Sequence, residues 1–148
     1  MLAMPGAAAS DLHRMWDDRC AECHGHSGEF ARAWLAVEDG ELRGRPARDI
    51  KEFMGHHYAQ GQDADGLYRM LLAQATSPPR FMNECSQCHG SAADFVRESL
   101  TREDGRLMGR CSALEVGEFL AGHHDLDAAD RAFFSALLVR VSAEVGVP

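Results

Sequence analysis

Apolar residues recur along the chain at helical spacings of three and four. Leu12, Trp16 and Cys20 lie four residues apart, and Phe81 and Cys85 repeat the last of these steps. Because residues three or four apart share one face of a helix, each segment is predicted to be an amphipathic helix. A cysteine lies on the buried face of both. The predicted N-cap residue of the first helix is either Ser10 or Asp11, because both side chains can accept a backbone N–H.

Three further helices are predicted after each of these lead-in segments. They are EFARAWLAVED (29–39), RDIKEFMGHH (48–57) and DADGLYRMLLAQ (63–74), followed by DFVRESLTRED (94–104), ALEVGEFLAGHH (113–124) and LDAADRAFFSALLVRV (126–141). Gly40 and Gly105 are interpreted as C-terminal helix stops. No alternating strand pattern of useful length is evident, so the predicted fold class is all-α.

The chain is an internal repeat. A shift of 65 residues aligns EDGELRGR (38–45) with EDGRLMGR (103–110), and beyond Arg110 the offset becomes 66, which aligns LYRMLL (67–72) with FFSALL (133–138). One inserted residue accounts for the change. The two prolines of TSPPR (76–80) are predicted to end a helix and form a stiff joint. We therefore predict two domains related by duplication, residues 1–77 and 78–148.

The size of the predicted domains and the net charge of the chain limit the possible cofactors and partners. A domain of about 70 residues is near the lower limit for a self-sufficient core, so each needs a disulfide, a metal or a large cofactor. The formal net charge of −8 argues against nucleic acid or an anionic membrane as the partner and is compatible with a basic protein. The first ten residues lack the charged-then-apolar layout of a complete signal peptide, and no run of 18 apolar residues suggests a membrane span.

Four of the five cysteines belong to two copies of Cys-x-x-Cys-His-Gly, at Cys20–Gly25 and Cys85–Gly90. This pattern is typical of covalently attached haem, with both thiols bonded to the porphyrin and the histidine as proximal iron ligand. Zinc is less suited, because two Cys-x-x-Cys pairs in a zinc site are usually about 15–20 residues apart. Redox-active Cys-x-x-Cys requires a strand–helix setting that the helical pattern does not predict. The predicted haem residues are Cys20, Cys23 and His24, and Cys85, Cys88 and His89.

From Leu12 to Val141 the order of segments resembles class I c-type cytochrome domains in a tandem dihaem arrangement. The shared features are a helix leading to Cys-x-x-Cys-His-Gly, loop helices and a closing amphipathic helix. The resemblance implies two covalently attached haem c groups, packing of the lead-in helix against the closing helix, and a periplasmic location, since the attachment takes place outside the bacterial cytoplasm. Members of that family usually supply a methionine as the sixth iron ligand from a loop before the last helix.

The chain departs from the family at this sixth ligand. No methionine aligns with another methionine at either offset, whereas the double histidines of FMGHHY (53–58) and FLAGHH (119–124) lie just before both closing helices. At the offset of 66, His57 aligns with His123, and each lies four residues after a phenylalanine on the apolar helix face. We predict His57 and His123 as distal ligands, with His56 and His124 as the alternatives.

Other candidates carry weaker signals. Arg45 and Arg110 recur after the same glycine and are candidates for binding the haem propionates, although a solvated loop position is an equal alternative. His13 and His26 have no histidine counterpart and are predicted to be surface residues. Cys111, the fifth cysteine, is predicted to be a buried, inert thiol, with an intermolecular disulfide or an iron-ligating thiolate as alternatives.

Two histidines on each iron leave no open coordination position. The sequence therefore predicts a dihaem c-type cytochrome that transfers electrons between donor and acceptor proteins, and does not predict an enzyme. The alternative is a haem enzyme or a sensor of NO, CO or peroxide, in which a distal histidine dissociates. A zinc-binding structural module is the remaining hypothesis.

Overall fold

The computed structural model describes residues 10–45, 48–57, 61–123 and 125–147. In the first half of the chain (residues 1–77) the elements are α1 (Leu12–Arg19), α2 (Ala21–His24), α3 (Ser27–Trp34), β1 (Leu35–Glu38), β2 (Glu41–Gly44), β3 (Arg48–Asp49), α4 (Ile50–Gly55) and α5 (Gly61–Thr76). In the second half (residues 78–148) they are α6 (Arg80–Glu84), α7 (Ser86–His89), α8 (Ala92–Ser99), β4 (Leu100–Glu103), β5 (Arg106–Gly109), α9 (Val116–Ala121) and α10 (Ala128–Glu144).

Element boundaries repeat at the two offsets found in the sequence. The helix α3 and the strands β1 and β2 recur 65 residues later as α8, β4 and β5, whereas α4 recurs 66 residues later as α9. The extra residue lies in the turn that follows β5. Arg43 pairs with Asp49 before α4, and Met108 makes the matching bridge to Glu115 before α9. In the longer turn Ala113 adopts a φ of 54°, which is uncommon for a residue other than glycine.

The prediction of an all-α fold is wrong. An antiparallel hairpin replaces the second part of each helix predicted over 29–39 and 94–104, because α3 ends at Trp34 and α8 at Ser99. Val37 pairs with Leu42 across the first hairpin. Asp39 and Gly40 form its two-residue turn with φ of 51° and 79°, and two positive φ values are what a type I′ hairpin turn requires. Gly40 is thus a turn residue and not a helix stop, and the same is true of Gly105, whose φ is 78°.

Each half has its own hydrophobic core among the described residues. The first cluster comprises Trp16, Ala31, Leu35, Leu42, Ile50, Leu67, Met70 and Leu71. The second comprises Phe81, Ala93, Val96, Leu100, Leu107, Val116, Leu120, Phe134, Leu138, Val141 and Val145. Both hairpins place a leucine in the core, at Leu42 and Leu107, which ties the strands to the helices by apolar burial.

The lead-in helix contacts the closing helix in both halves. Gly66 on α5 lies so close to Leu12 on α1 that a Cβ there would be 2.8 Å from a Leu12 methyl carbon. In the second half Arg80 on α6 forms an ion pair with Asp130 on α10, at 2.9 Å. Asp11 is the N-cap of α1, since its carboxylate accepts the Arg14 backbone N–H at 2.9 Å; this selects between the two predicted capping residues.

The two halves meet through polar side chains. Arg97 on α8 donates to both carboxylate oxygens of Asp11, at 2.7 and 3.0 Å. His13 on α1 lies 2.8 Å from a carboxylate oxygen of Glu144 on α10, and both side chains are largely buried. The prediction of His13 as a surface residue is therefore wrong: its ring bridges the two halves.

A cavity of about 240 Å³ also lies between the halves. It is lined in part by the residues that follow the two Cys-x-x-Cys-His-Gly segments, namely His26, Ser27, Ser91 and Ala92. Both segments therefore approach the same interface from opposite sides. Gln74 lines this region as well, and its side-chain oxygen is buried without a hydrogen-bond partner among the described residues.

Candidate functional sites around two pairs of histidines

Each Cys-x-x-Cys-His segment forms one tight helical turn. The N–H groups of Cys23 and His24 both donate to the carbonyl oxygen of Cys20, at 3.1 and 2.9 Å. Side chains at positions i, i+3 and i+4 share a helix face, so the spacing brings both thiols and the imidazole to one side. The turn that begins at Cys85 repeats these bonds at 3.2 and 3.1 Å.

The glycine after each histidine turns the chain out of the helix. Gly25 has φ 67° and ψ −158°, and Gly90 has φ 66° and ψ −143°. This region of backbone conformation is essentially restricted to glycine. A new helix then starts at once, capped by the side chain of His26 in the first half and of Ser91 in the second. The structure thus explains the glycine of the motif, and His26 is exposed as predicted.

The fold brings the predicted proximal and distal histidines together in both halves. The ring centroids of His24 and His57 are 6.1 Å apart, and those of His89 and His123 are 5.8 Å apart. An iron ion held about 2 Å from one nitrogen of each ring places the two centroids roughly 6 Å apart. We refer to Cys20, Cys23, His24 and His57 as site 1, and to Cys85, Cys88, His89 and His123 as site 2.

A phenylalanine contacts every histidine of the two sites. In site 1, Phe30 meets the His24 ring edge-on at 4.7 Å, and Phe53 stacks on His57 at 4.6 Å with 29° between the ring planes. Site 2 repeats both contacts, at 4.7 Å for Phe95 on His89 and 4.7 Å for Phe119 on His123. These rings limit the rotation of each imidazole, so the facing geometry is supported by packing.

A cavity of about 540 Å³ opens beside the site 2 residues. Both cysteines and both histidines of site 2 line it, and its walls are otherwise mainly apolar, from Phe81, Leu100, Val116, Leu120, Leu126, Phe134 and Leu138. The volume is within the range of about 300–1,000 Å³ that cofactor pockets occupy. Two thiols and two imidazoles line this one cavity, and this donor set fits a covalently attached haem.

The two histidines of the first doublet differ in burial. His57 is half-buried and faces His24, whereas His56 is exposed and forms the C-cap of α4. His57 and His123 hold matching backbone positions, because their N–H groups donate to Met54 and Leu120 respectively. His124, the other predicted alternative, lies outside the described residues.

The first cysteine of each pair lies in surroundings that disfavour its thiolate. Burial raises the pKa of Cys20 and of Cys85 above the ordinary thiol value. Reactive Cys-x-x-Cys pairs in oxidoreductases have the opposite property, a lowered pKa that populates the nucleophilic thiolate. No disulfide joins any of the five cysteines, all of which lie in the described residues. Dithiol redox chemistry is therefore poorly supported by this environment.

The remaining predicted residues lie at the periphery. Arg45 and Arg110 are exposed, and Arg110 is not among the described residues that line the site 2 cavity. Cys111 is exposed on the turn after β5, so the prediction of a buried thiol is wrong. The inserted residue lengthens this turn, and Cys111 together with Ser112 forms part of the cavity wall.

The stacking of Phe53 and Phe119 on the distal histidines is a feature that sequence reasoning missed. The signal was present, because both phenylalanines precede the histidine by four residues and align at the offset of 66. Their shared helical face indicates which histidine of each doublet points inward but does not by itself predict ring stacking. The contribution of Ser112 to the cavity has no comparable signal, since it depends on the path of a single turn.

Comparison of the chain with protein-family models, curated proteins and solved structures finds no match. Within the described residues no group of three or more histidine, cysteine, aspartate or glutamate side chains converges to hold a metal ion. A haem iron takes only two ligands from the protein, one on each face, and so does not call for such a group. None of the helices in the described ranges is long and apolar enough to cross a membrane.

Proposed function

We propose that the protein is a dihaem c-type cytochrome that transfers electrons between protein partners, with one haem-bearing domain in residues 1–77 and another in 78–148. The facing histidine pairs support this most directly. Two independent segments each follow Cys-x-x-Cys with a histidine, and both histidines meet a second histidine at close to the spacing of two axial ligands on one iron.

The roles of the residues follow from their positions. Cys20 and Cys23, and Cys85 and Cys88, would hold the haem through thioether bonds; His24 and His89 would bind one face of the iron, and His57 and His123 the other. When bound, haem supplies reversible one-electron chemistry. In each site the two imidazoles would hold the iron and leave it no free coordination position, and the phenylalanines that pack on them would oppose ligand movement when the charge changes. Such rigidity suits electron transfer and disfavours binding of oxygen or peroxide.

The contact between the halves also favours electron transfer. Residues directly after both attachment segments line one cavity of about 240 Å³, so the two sites are neighbours across the interface. The net charge of −8 makes basic protein surfaces the favoured donor or acceptor. Covalent haem attachment of this type is expected outside the cytoplasm, and we propose a periplasmic location.

The test is expression of the chain together with the machinery that attaches haem c. We expect a mass increase of two haem groups that resists denaturation, low-spin spectra in both oxidation states, no methionine-to-iron charge-transfer band, and no spectral change with CO. The double variant Cys20→Ser/Cys23→Ser should carry one haem, whereas Cys111→Ser should retain both.

Two outcomes would count against the proposal. A matured chain that carries no covalent haem, or one that binds zinc stoichiometrically, rules it out. A CO-induced shift or a high-spin fraction would instead favour the alternative of a sensor or enzyme in which a distal histidine dissociates.

A further inference from the structure

The two sites are built from matching residues but differ in exposure. His24 of site 1 is exposed, whereas His89 of site 2 is half-buried. Phe53, which stacks on the distal histidine of site 1, is 37% exposed, and its counterpart Phe119 is half-buried. Solvent therefore approaches the proximal imidazole of site 1 more closely than that of site 2, whereas His57 and His123 are both half-buried.

The protein surroundings of the sites differ in the same direction. Phe134 and Leu120 are almost fully buried in the wall of site 2. At the offset of 66 their counterparts are Tyr68 and Met54, both half-buried. Tyr68 brings a hydroxyl group that accepts the Leu42 N–H at 3.0 Å, so the residues around site 1 are more polar and less enclosed.

Charge near the attachment segments adds a third difference. Asp17, Asp18 and Glu22 in the first half align with Met82, Asn83 and Gln87 in the second. The segment 14–22 has three acidic and two basic residues, whereas 79–87 has one of each. That single acidic residue, Glu84, is held by Arg80 at 2.7 Å. The local net charge is thus −1 beside site 1 and 0 beside site 2.

All three differences lower the reduction potential of site 1 relative to that of site 2. Oxidised haem iron carries one more positive charge than reduced iron. Water and nearby carboxylates stabilise the oxidised form and lower the potential, whereas an apolar, enclosed setting favours the reduced form and raises it. Screening by salt weakens the effect of exposed carboxylates but does not reverse its sign.

We propose that site 1 has the lower reduction potential and site 2 the higher, so that the single electron of a half-reduced protein occupies site 2. This inference rests on the proposed dihaem function. It assigns an order to the two halves: site 1 is the point of entry for electrons from the donor protein, and site 2 is the point of exit to the acceptor.

The experiment is a spectroscopic redox titration of the matured protein and of its single variants His57→Ala and His123→Ala. We expect two one-electron transitions in the unaltered protein, separated by at least a tenfold preference for site 2, which corresponds to about 59 mV for one electron. The lower transition should be the one perturbed in His57→Ala, and the higher one in His123→Ala.

A second set of variants in the same redox titration changes surface charge and leaves the iron ligands in place. The double variant Asp18→Asn/Glu22→Gln should raise the lower midpoint by more than the higher one. Glu38→Gln/Asp39→Asn is the matched control, because it removes two exposed carboxylates from the same half at the tip of the hairpin. It should move neither midpoint.

Failure of the inference is distinct from failure of the proposed function. Two haems with coincident midpoints, or with the higher midpoint perturbed in His57→Ala, overturn the assignment and leave the dihaem cytochrome intact. A protein without covalent haem overturns both.

Discussion

The imidazole rings of His89 and His123 lie with their centroids 5.8 Å apart, although 34 positions separate the two residues in the sequence. The hairpin of β4 and β5 and the short helix α9 bring them together. His24 and His57 meet in the same way through the equivalent elements of the first half, at 6.1 Å. The same facing pair of histidines recurs in two halves whose other side chains differ. The fold of each half therefore produces the pair.

The facing histidines predict which residue of each doublet would bind iron in the proposed dihaem protein. His57→Ala and His123→Ala should each convert one of the two haems from low-spin to high-spin, because one axial ligand is removed. Absorption and EPR spectra of the matured variants measure this. His56→Ala is the control: His56 is exposed and should leave both haems low-spin. The opposite pattern, with His56→Ala high-spin, would show that the ligand in the first half is misassigned.

The stacked phenylalanines should position the distal histidines. Phe53→Leu and Phe119→Leu remove an aromatic contact with a stabilising free energy of about 0.5–1.5 kcal/mol. We therefore expect a broadened or shifted low-spin EPR signal from one haem and easier displacement of its distal ligand by imidazole or cyanide. Phe133→Leu makes the same change at a ring that contacts Phe134. If that control shifts the signal equally, a general loss of packing is the cause.

The glycine of each Cys-x-x-Cys-His-Gly segment should be required for its backbone conformation. Gly25→Ala and Gly90→Ala should each destabilise the protein by about 1–3 kcal/mol, because their φ and ψ values are strained for any residue with a Cβ. Space is available, since an added Cβ at either position has no heavy atom within 4 Å. Thermal unfolding and the haem-to-protein ratio measure the loss.

Gly117→Ala is the matched control for the motif glycines. Gly117 also has open space around its Cβ position but lies within the helix α9. Alanine there should increase stability, by up to about 1 kcal/mol. Equal destabilisation by all three substitutions would refute the backbone explanation.

The ion pair between Asp11 and Arg97 should make the contact between the halves sensitive to acid. Burial raises the pKa of the Asp11 carboxyl, but the hydrogen bonds from Arg97 and from the Arg14 backbone outweigh this and hold the pKa below its usual value of 3.8. A lowered folded-state pKa means that the stabilisation is complete above the unfolded value and is lost as pH falls through the folded one.

A double-mutant cycle of Asp11→Asn and Arg97→Gln measures this contribution to the free energy of unfolding. Urea denaturation should give a favourable coupling free energy at pH 7 that decreases toward zero below about pH 4. Asparagine at position 11 keeps an acceptor for the Arg14 N–H, so the cycle reports the charge and not the helix cap. A coupling that is independent of pH would contradict the assignment.

Much of the fold was predictable because it was repeated. The helices α1, α4, α5, α9 and α10 all lie where helical spacing of apolar residues predicts them, and the change of offset from 65 to 66 falls at the turn after β5. The hairpins were not predicted. Strands of four residues are too short for a clear alternating pattern, and the apolar residues Leu35 and Val37 continue the spacing of the preceding helix. The Asp-Gly pair is the local signal for each hairpin turn, but a glycine at this position is equally compatible with the end of a helix.

By itself the sequence determined that two cysteines and a histidine share one helical turn in each half, since their spacing is a local property of the chain. It also determined, by repetition, which histidine of each doublet is equivalent to the other. Only the tertiary structure decided that these histidines face the proximal ones, that Phe53 and Phe119 pack on them, and that site 1 is more exposed than site 2. These features depend on contacts between elements distant along the chain, where hairpin geometry and burial against the core set distances that no local pattern encodes.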